Sequence, residues 1–243
     1  MISFTKMNHN FDKSQAVDCI LPIYNEQNRV LGVVEKLLEV PQINQIICVD
    51  DGSTDNTPQQ LERVFNQHPE QIRTVALAAN TGKADAVKQG LQLVEAEHVL
   101  MFDADVHNLF SEELKEGIEV YLTDEQIRML LFCEINELAI SRLLRFNIVF
   151  SGNRLMRADD LQQVFMLEPE RYQLETAINH YFSRFKQSVF YYNYSALNTH
   201  KIKKVGHIEG LKRELAMYKD VIEFAGPLEI IKQISTFARQ ECQ

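Results

Sequence analysis

Short apolar runs alternate with stretches of helical spacing along the first half of the chain. The apolar runs occupy residues 17–22, 46–49, 74–77 and 99–106. Between them, over residues 29–40, 58–65 and 84–95, apolar side chains recur three and four positions apart, which is the period of an amphipathic helix. Strands and helices that alternate in this way are typical of a mostly parallel sheet with crossover helices. The pattern predicts an α/β fold, with a Rossmann-like sheet flanked by helices.

The second half of the chain is less regular. Its spacing predicts helices over residues 111–121, 134–146 and 172–185, and strands over residues 127–132 and 188–194. Residues 151–154 look like a turn, residues 210–224 are amphipathic, and residues 227–238 predict a final helix after Gly226-Pro227. We expect one domain over residues 1–226, followed by a C-terminal helical extension over residues 227–243.

Polar side chains follow each of the four predicted strands of the first half. These groups are Tyr24-Asn25-Glu26, Asp50-Asp51, Asn80-Thr81-Gly82-Lys83 and Asp103-Ala104-Asp105. In sheets of this class, ligands bind beyond the carboxyl ends of the strands. Because all four groups fall at such ends, we expect them to form one site. Several carboxylates and one lysine suit a metal-bridged diphosphate attached to a nucleoside.

The two aspartates after the fourth run carry most of this prediction. If residues 99–106 form one strand, Asp103 and Asp105 point to the same side and Ala104 points to the other. Two carboxylates so close repel each other unless a cation or hydrogen-bond donors hold them. A divalent metal that carries a phosphorylated ligand would do so. The alternative is a solvated Asp-x-Asp turn.

Composition limits the classes of function. The 243 residues carry a net charge of −9, with 45% hydrophobic and 24% charged residues, so a nucleic-acid-binding surface is not expected. No apolar run approaches the roughly 20 residues that span a bilayer, and the first 18 residues lack the apolar core of a signal peptide. The four cysteines show neither metal-ligand nor disulfide spacing. These features predict a cytoplasmic protein.

The polar groups also resemble a known family. The motifs Leu21-Pro22-Ile23-Tyr24-Asn25-Glu26, Val49-Asp50-Asp51-Gly52-Ser53-Thr54-Asp55, Asn80-Thr81-Gly82-Lys83 and Phe102-Asp103-Ala104-Asp105 occur in this order. Together they resemble the family 2 glycosyltransferases, especially compact members similar to dolichyl-phosphate mannosyltransferase catalytic domains. The resemblance is strong over residues 17–110 and weaker over residues 150–180. It implies the GT-A fold, a nucleotide-diphosphate sugar as donor, and a divalent cation, Mg²⁺ or Mn²⁺.

The resemblance also implies roles for individual residues. The donor nucleotide would be bordered by Pro22, Tyr24, Glu26, Asp51, Gly82, Lys83, Asp103 and Ala104. Among these, Tyr24 would lie near the base and Asp51 would accept a hydrogen bond from it. Lys83 would approach the diphosphate or ribose, and Asp103 the ribose or sugar. Asp105 would ligate the metal and so take part in catalysis. Such enzymes usually invert the anomeric centre by direct displacement, which requires a base for a hydroxyl acceptor.

Candidates for the acceptor side and for a further metal ligand come from the second half. Glu175 matches a place where related enzymes carry a carboxylate near the acceptor, and we take it as the candidate base; the alternative is an exposed helical glutamate. Ser151-Gly152 resembles an acceptor-side motif, or is a plain backbone turn. A late histidine often completes the metal site, and we prefer His200 to His207, although a lone histidine is more often structural.

A basic stretch stands out in this acidic chain, with Lys201, Lys203, Lys204, Lys212, Arg213 and Lys219. It could close over a diphosphate or make a peripheral contact with an anionic membrane surface, but a solvated helix face is the simpler interpretation. Because no transmembrane helix is expected, a polyprenyl-phosphate acceptor is in doubt and the acceptor stays unidentified. The amphipathic tail could mediate a homodimer.

The sequence therefore predicts a metal-dependent inverting glycosyltransferase. The main alternative is a catalytically degenerate relative that binds nucleotide sugar and acts as a regulator or partner. A receiver-like signalling module would place its acidic pair after the first strand, where this chain has Tyr24-Asn25-Glu26. A nucleotidyltransferase would carry a glycine-rich basic loop at the same place.

Overall fold

A computed structural model of the chain describes residues 15–135, 145–168, 174–198, 226–238 and 240–242. The strands are β1 (Val17–Ile23), β2 (Ile43–Asp50), β3 (Ile72–Ala76), β4 (His98–Met101), β5 (Val106–His107), β6 (Met129–Glu134), β7 (Arg154–Arg157), β8 (Val189–Tyr194), β9 (Leu197–Asn198) and β10 (Gln240–Glu241). The helices are α1 (Val30–Leu38), α2 (Thr57–Gln67), α3 (Lys83–Leu91), α4 (Ser111–Thr123), α5 (Phe146–Val149), α6 (Ala158–Phe165), α7 (Leu174–Arg184) and α8 (Pro227–Thr236).

Eight strands form one mixed sheet in the order β10-β8-β6-β7-β4-β1-β2-β3. All neighbours in it are parallel except β7, which runs antiparallel to both β4 and β6. A separate antiparallel pair joins β5 to β9. The predicted mostly parallel sheet with crossover helices is confirmed, and β7 is the one reversal within it.

Helices cover both faces of this sheet, which is why its strands are apolar on both sides. On one face, α1, α2 and α4 bury residues such as Val34, Leu61 and Ile118. On the other face, α3, α6 and α7 bury residues such as Val87 and Ile178. The core therefore lies in two layers, one on each side of the sheet.

The first-half elements match the sequence pattern, with one instructive difference at Pro22. The apolar run was expected to stop at this proline, yet β1 continues through it to Ile23. On one side β1 pairs with β2 along its whole length, whereas its pairing with β4 ends at Ile20. The strand edge is thus open at position 22 on the side of β4, where a residue without an N–H is tolerated.

The second half contains the errors of the sequence analysis. The helix predicted over residues 134–146 is wrong at its start, because Glu134 is the last residue of β6; residues 136–144 lie outside the described part. Neither β7 nor α6 was predicted, and Arg154, assigned to a turn, is the first residue of β7. The helix expected from residue 172 is observed as α7, from residue 174 on.

The chain end returns to the sheet. The predicted final helix is confirmed as α8, and the two residues of β10 after it pair with β8. The domain boundary at residue 226 stays a prediction. His200, His207, the basic stretch and the amphipathic residues 210–224 lie outside the described residues.

The cysteines form no disulfides, and the described helices are too short or too polar to span a membrane. All four cysteines are free thiols, and Cys19, Cys48 and Cys133 are buried in strands. In the part of the chain that the structure describes, no helix combines the length and the apolar character of a membrane span.

Candidate functional site

A cavity of about 270 Å³ opens at the carboxyl ends of β1, β2, β3 and β4. All eight residues predicted to border the nucleotide line it, namely Pro22, Tyr24, Glu26, Asp51, Gly82, Lys83, Asp103 and Ala104. Asp105 lines it as well. The volume is near the lower end of the range of small-molecule sites. The expectation that the polar groups after the strands meet in one place is therefore met by the geometry.

The ammonium group of Lys83 lies between two carboxylates. Its Nζ is 2.6 Å from Asp103 Oδ1 and 2.7 Å from Glu175 Oε1. Lys83 is the first residue of α3 and Glu175 lies in the first turn of α7. The ion pairs thus join the predicted nucleotide side to the predicted acceptor side. The alternative of an exposed helical glutamate is wrong, because Glu175 is only 9% exposed.

These carboxylates fix the charge of Lys83. Burial alone would lower the pKa of its ammonium group, but the nearby charges of Asp103 and Glu175 and their hydrogen bonds raise the pKa well above the ordinary value. Lys83 therefore stays protonated over the whole physiological range. The site therefore holds a permanent ammonium group between the carboxylates of Asp103 and Glu175.

The backbone of Gly152 covers this ion pair. A Cβ built at position 152 would lie 2.6 Å from Asp103 Oδ1 and closer still to Asp103 Oδ2 and Lys83 Nζ. Any side chain at this position would have to displace the Asp103 carboxylate or the Lys83 ammonium group. The predicted turn over residues 151–154 is thus part of the site wall. The sequence indicated the glycine but not its reason, which is the closeness of the ion pair.

Asn153 supports the same region from below and was missed by the sequence analysis. Its Oδ1 accepts a hydrogen bond of 2.8 Å from the backbone N–H of Asp103, and its Nδ2 donates to the hydroxyl of Tyr194 at 2.7 Å. Both interactions are buried or partly buried. A lone asparagine next to a glycine gave no signal that could have identified it.

Asp51 has a partner set that the sequence did not reveal. Its Oδ1 accepts a hydrogen bond of 2.8 Å from the N–H of Thr81, and its Oδ2 accepts one of 2.9 Å from the N–H of Gly82. The carboxylate therefore holds the loop that leads into α3 and Lys83. Its neighbour Asp50 accepts from the N–H of Ser53 and shapes the loop after β2.

Two loops form the rim of the cavity. The first rim loop comprises residues 24–29 and the second comprises residues 51–56. The N–H of Asn25 donates to Ser53 Oγ at 2.9 Å, and Asn25 Oδ1 accepts from the N–H of Thr54 at 2.8 Å. Asn25 has a positive φ of 56°, which asparagine tolerates better than most residues.

The same two loops are joined further along. The N–H of Gln27 donates to Asp55 Oδ2, and Gln27 Oε1 accepts from the N–H of Asn56 at 2.9 Å. The N–H of Glu26 donates to Thr57 Oγ1, at the start of α2, at 2.9 Å. The polar residues after Asp51 in the second motif thus hold the first rim loop. Nothing in the sequence pattern indicated that these residues hold the first rim loop.

The strand predicted to carry residues 103–105 ends before them. Strand alternation was expected to place Ala104 opposite Asp103 and Asp105, but β4 ends at Met101 and Ala104 and Asp105 lie in a turn. As a result all three residues line the cavity, and Ala104 is 4% exposed. Alternation applies only within a strand, and here the strand is shorter than the apolar run.

Two carboxylates in the same cavity, those of Asp103 and Asp105, are the candidate metal ligands. Among the described residues, no group of three or more His, Cys, Asp or Glu side chains could hold a metal ion. Asp103 and Asp105 do offer carboxylate oxygens to the cavity, and Mg²⁺ is usually bound by one or two carboxylates together with phosphate oxygens of the substrate. The chemistry of this pair fits such a cation. His200 lies outside the described residues.

Comparison with known proteins identifies the region that carries the site. The model of glycosyl transferase family 2 matches residues 18–125. This segment is similar to glycosyl transferase family 2. The matched segment includes the rim loops, Asp51, Lys83, Asp103 and Asp105, and it ends before the turn at Gly152 and before Glu175.

Curated relatives are similar over the same part of the chain. The undecaprenyl-phosphate 4-deoxy-4-formamido-L-arabinose transferase of Proteus mirabilis is 29% identical over 102 residues, which are 40% of this chain and 31% of that protein. The dolichyl-phosphate β-glucosyltransferase of Saccharomyces cerevisiae is 32% identical over 113 residues, 43% of this chain and 34% of that protein. The match thus spans about a third of the length of these relatives.

Solved structures are similar over nearly the whole fold. The glucosyl-3-phosphoglycerate synthase of Mycobacterium tuberculosis, in complex with Mn²⁺, UDP-glucose and phosphoglyceric acid, superposes with a TM-score of 0.68 at 18% identity. The superposition covers 90% of this chain and 80% of that chain. A second structure of that enzyme, with Mg²⁺ and UDP, gives a TM-score of 0.66. The chain therefore has the predicted GT-A fold.

Proposed function

We propose that the chain is a glycosyltransferase that uses a nucleotide-diphosphate sugar and a divalent cation. One observation carries the proposal: Lys83 lies in the cavity between Asp103 and Glu175, next to Asp105. This arrangement brings a cation for the diphosphate, carboxylates for a metal and the sugar, and a buried carboxylate for the acceptor into one place. The family match and the fold support it.

The donor nucleotide would enter along the rim loops. Tyr24, 41% exposed, offers an aromatic face on which a base can stack. Pro22 and Ile23 add apolar surface beside it. Because solved neighbours of the same fold bind UDP and UDP-glucose, a uridine diphosphate sugar is the first donor to test.

The diphosphate would lie between Lys83 and the Asp103–Asp105 turn. Here Asp105 would ligate Mg²⁺ or Mn²⁺ together with phosphate oxygens, and Asp103 would contact the ribose or the sugar. A cation bound there offsets the negative charge that develops on the departing nucleoside diphosphate. Lys83 supplies a second positive charge without any change of protonation, and such fixed charges cost no reorganisation during the reaction.

Glu175 would act on the acceptor. Its carboxylate would accept the proton of the acceptor hydroxyl while that oxygen attacks the anomeric carbon. The bond between this carbon and the diphosphate oxygen breaks, and the electron pair leaves with the nucleoside diphosphate. Displacement from the opposite face inverts the anomeric centre.

The acceptor class is the least constrained part of the proposal. Two curated relatives carry undecaprenyl phosphate and dolichyl phosphate in their names, and the solved neighbour binds phosphoglyceric acid. These names make phosphate-bearing acceptors the first to screen. Peripheral membrane contact and a homodimer remain predictions from the sequence.

Ligand-dependent melting tests the donor site. A ligand at 100 times its Kd adds about 2.7 kcal/mol to the free energy of unfolding, which raises the melting temperature by several degrees. We expect this rise with UDP or UDP-glucose and Mn²⁺, and its loss in Asp105→Ala. The matched control is Asp159→Ala, an exposed carboxylate on α6.

The outcomes separate the proposal from its alternative. Metal-dependent binding together with release of UDP from UDP-glucose supports the enzyme. Binding without any turnover, across a screen of phosphate-bearing acceptors, would favour the degenerate nucleotide-sugar-binding protein. Absence of binding by every nucleoside diphosphate would refute both.

A further inference from the structure

The guanidinium group of Arg154 is buried at the start of β7. The residue is 0% exposed, and its hydrogen bonds within the described residues go to neutral oxygens. Its Nε donates to the carbonyl of Ser151 at 2.6 Å and its Nη2 to the carbonyl of Val149 at 3.0 Å. Burial lowers the pKa of Arg154 to about 10, although the nearby charge of Glu175 opposes this shift. A buried guanidinium of this kind is costly unless its donors are satisfied.

Arg154 connects the two parts of the acceptor side. Through Ser151 it holds the turn that places Gly152 over the Lys83–Asp103 pair. Through Nη1 it donates to the backbone carbonyl of Glu175 at 3.4 Å. The turn and the first turn of α7 are therefore held by the same side chain.

Asn179 continues the chain of hydrogen bonds away from the cavity. It lies four residues after Glu175 on α7, and it is fully buried. Its Oδ1 accepts from Arg154 Nη1 at 2.6 Å. Its Nδ2 donates to the carbonyl of Val149 at 2.8 Å and to Gln233 Oε1 at 3.0 Å. Both polar atoms of this amide are used.

Gln233, on the C-terminal helix α8, is the last side chain in this series of hydrogen bonds. It is 1% exposed and is the buried residue of that helix, whereas Leu228 and Ile231 are 82% and 61% exposed. Its Nε2 also reaches the carbonyl of Thr176 at 3.5 Å. A helix that served packing alone would bury its apolar residues. This one instead buries an amide against the Asn179–Arg154 pair, which favours a defined geometry over simple burial.

We propose that Gln233 is a positioning residue for the acceptor side of the site. It acts through Asn179 and Arg154 on the orientation of Glu175 and of the Ser151-Gly152 turn. This inference rests on the proposed function for its catalytic consequence. Its structural part, the coupling of α8 to the first turn of α7, stands independently.

The test removes the hydrogen bonds and keeps the packing. Methionine has nearly the length of glutamine and no polar amide, so Gln233→Met keeps the position filled and removes only the hydrogen bond between Asn179 and Gln233. The matched control is Lys232→Met, one position earlier and exposed. Hydrogen–deuterium exchange of the whole chain is measured for both variants. In Gln233→Met we expect about fivefold faster exchange in residues 149–154 and 174–179, with residues 80–91 unchanged.

A kinetic measurement separates positioning from stability. In the presence of Mn²⁺ and with water as acceptor, release of UDP from UDP-glucose should be about fivefold slower in Gln233→Met. The KM for UDP-glucose should stay at the wild-type value. Unchanged exchange at residues 174–179, or equal acceleration throughout the protein, would overturn the inference. Unchanged turnover would also overturn it. If the wild-type protein neither binds UDP nor releases it, the proposed function fails and the exchange pattern alone decides the coupling.

Discussion

The backbone of Gly152 lies against the carboxylate of Asp103, so that a methyl group at position 152 would overlap with both carboxylate oxygens. Asp103 follows β4 and Gly152 precedes β7, so the two residues come from different halves of the chain. They meet because β7 pairs with β4. The wall of the site is therefore assembled by the one antiparallel strand in the middle of the sheet.

Gly152→Ala should disable the site without unfolding the protein. The added methyl group must displace Asp103 or Lys83, and a displacement of about 1 Å can cost on the order of 100-fold in rate. We expect UDP affinity in the presence of Mn²⁺ to fall by at least about tenfold, as measured by titration calorimetry.

A second glycine provides the control for this change. Gly32 lies on α1, is exposed, and has no atom within 4 Å of a built Cβ. Gly32→Ala should leave UDP affinity unchanged and raise the free energy of unfolding by about 0.5–1 kcal/mol, because alanine is the better helix former. Equal loss of affinity in both variants would contradict the steric explanation.

Lys83→Met should destabilise the fold, and this loss of stability should decrease at high pH. Its loss leaves Asp103 and Glu175 without their shared cation, which we expect to cost about 2 kcal/mol. Burial lowers the pKa of Lys83, but the two carboxylates raise it above the unfolded value of 10.5. A raised folded pKa gives a contribution that is complete below pH 10.5 and decreases as the pH rises further.

Denaturant unfolding of the wild type and of Lys83→Met at several pH values checks this sign. The difference between their free energies of unfolding should be constant from about pH 6 to pH 9 and shrink above about pH 10.5. A difference that shrinks near neutral pH would show that the ammonium group is not held as the structure has it.

Asp18→Ala should be among the most destabilising single changes outside the cavity. This carboxylate is 0% exposed and accepts hydrogen bonds from Asn44 Nδ2, Gln45 Nε2 and the N–H groups of Glu95 and Ala96. Its removal leaves these donors without their acceptor, at an expected cost of about 3 kcal/mol. Urea unfolding measures the loss, and Asp159→Ala should stay within about 0.5 kcal/mol of the wild type.

The thiols should react in an order set by burial. Burial, then the neighbouring Cys48 and Asp18, raises the pKa of Cys19 well above its ordinary value, and burial raises that of Cys48 to about 12. Burial, with Asp124 and Glu241, raises the pKa of Cys242 to about 11. Because the thiolate is the reactive form, alkylation of the native protein at pH 8 should be slow, and Cys242, the least buried, should react first. Mass spectrometry of labelled peptides, with a sample in denaturant as reference, measures this order.

Much of the sheet could be predicted from the sequence because β1, β2 and β4 are buried on both faces. Apolar runs identify β1, β2, β3 and β4, and the polar residues after them identify the cavity. Strand β7 could not be found in this way. Its first residue, Arg154, is a charged side chain in a core position, and only the buried carbonyls and Asn179 around it make that position acceptable.

The residues of the site fall into two groups, of which only the first could be predicted from the sequence. Residues that line the cavity carry a recognisable residue type after a strand, as Lys83 and Asp105 do. Residues that hold the lining in place do so through partners distant in sequence. Asn153 contacts Asp103 and Tyr194, and Gln233 contacts Asn179. Neither set of contacts produces a residue pattern that can be recognised in the sequence.

The hydrogen bonds between the two rim loops have a consequence for engineering. Asn25 and Gln27 are held by hydrogen bonds to residues 53–56 of the second rim loop. Neither loop would therefore keep its conformation without the other. A chimera that takes only the first rim loop from a similar glycosyltransferase would lose these partners, and the loop would collapse at the entrance of the cavity. The two loops therefore form a single module, and any exchange of nucleotide preference has to transplant both together.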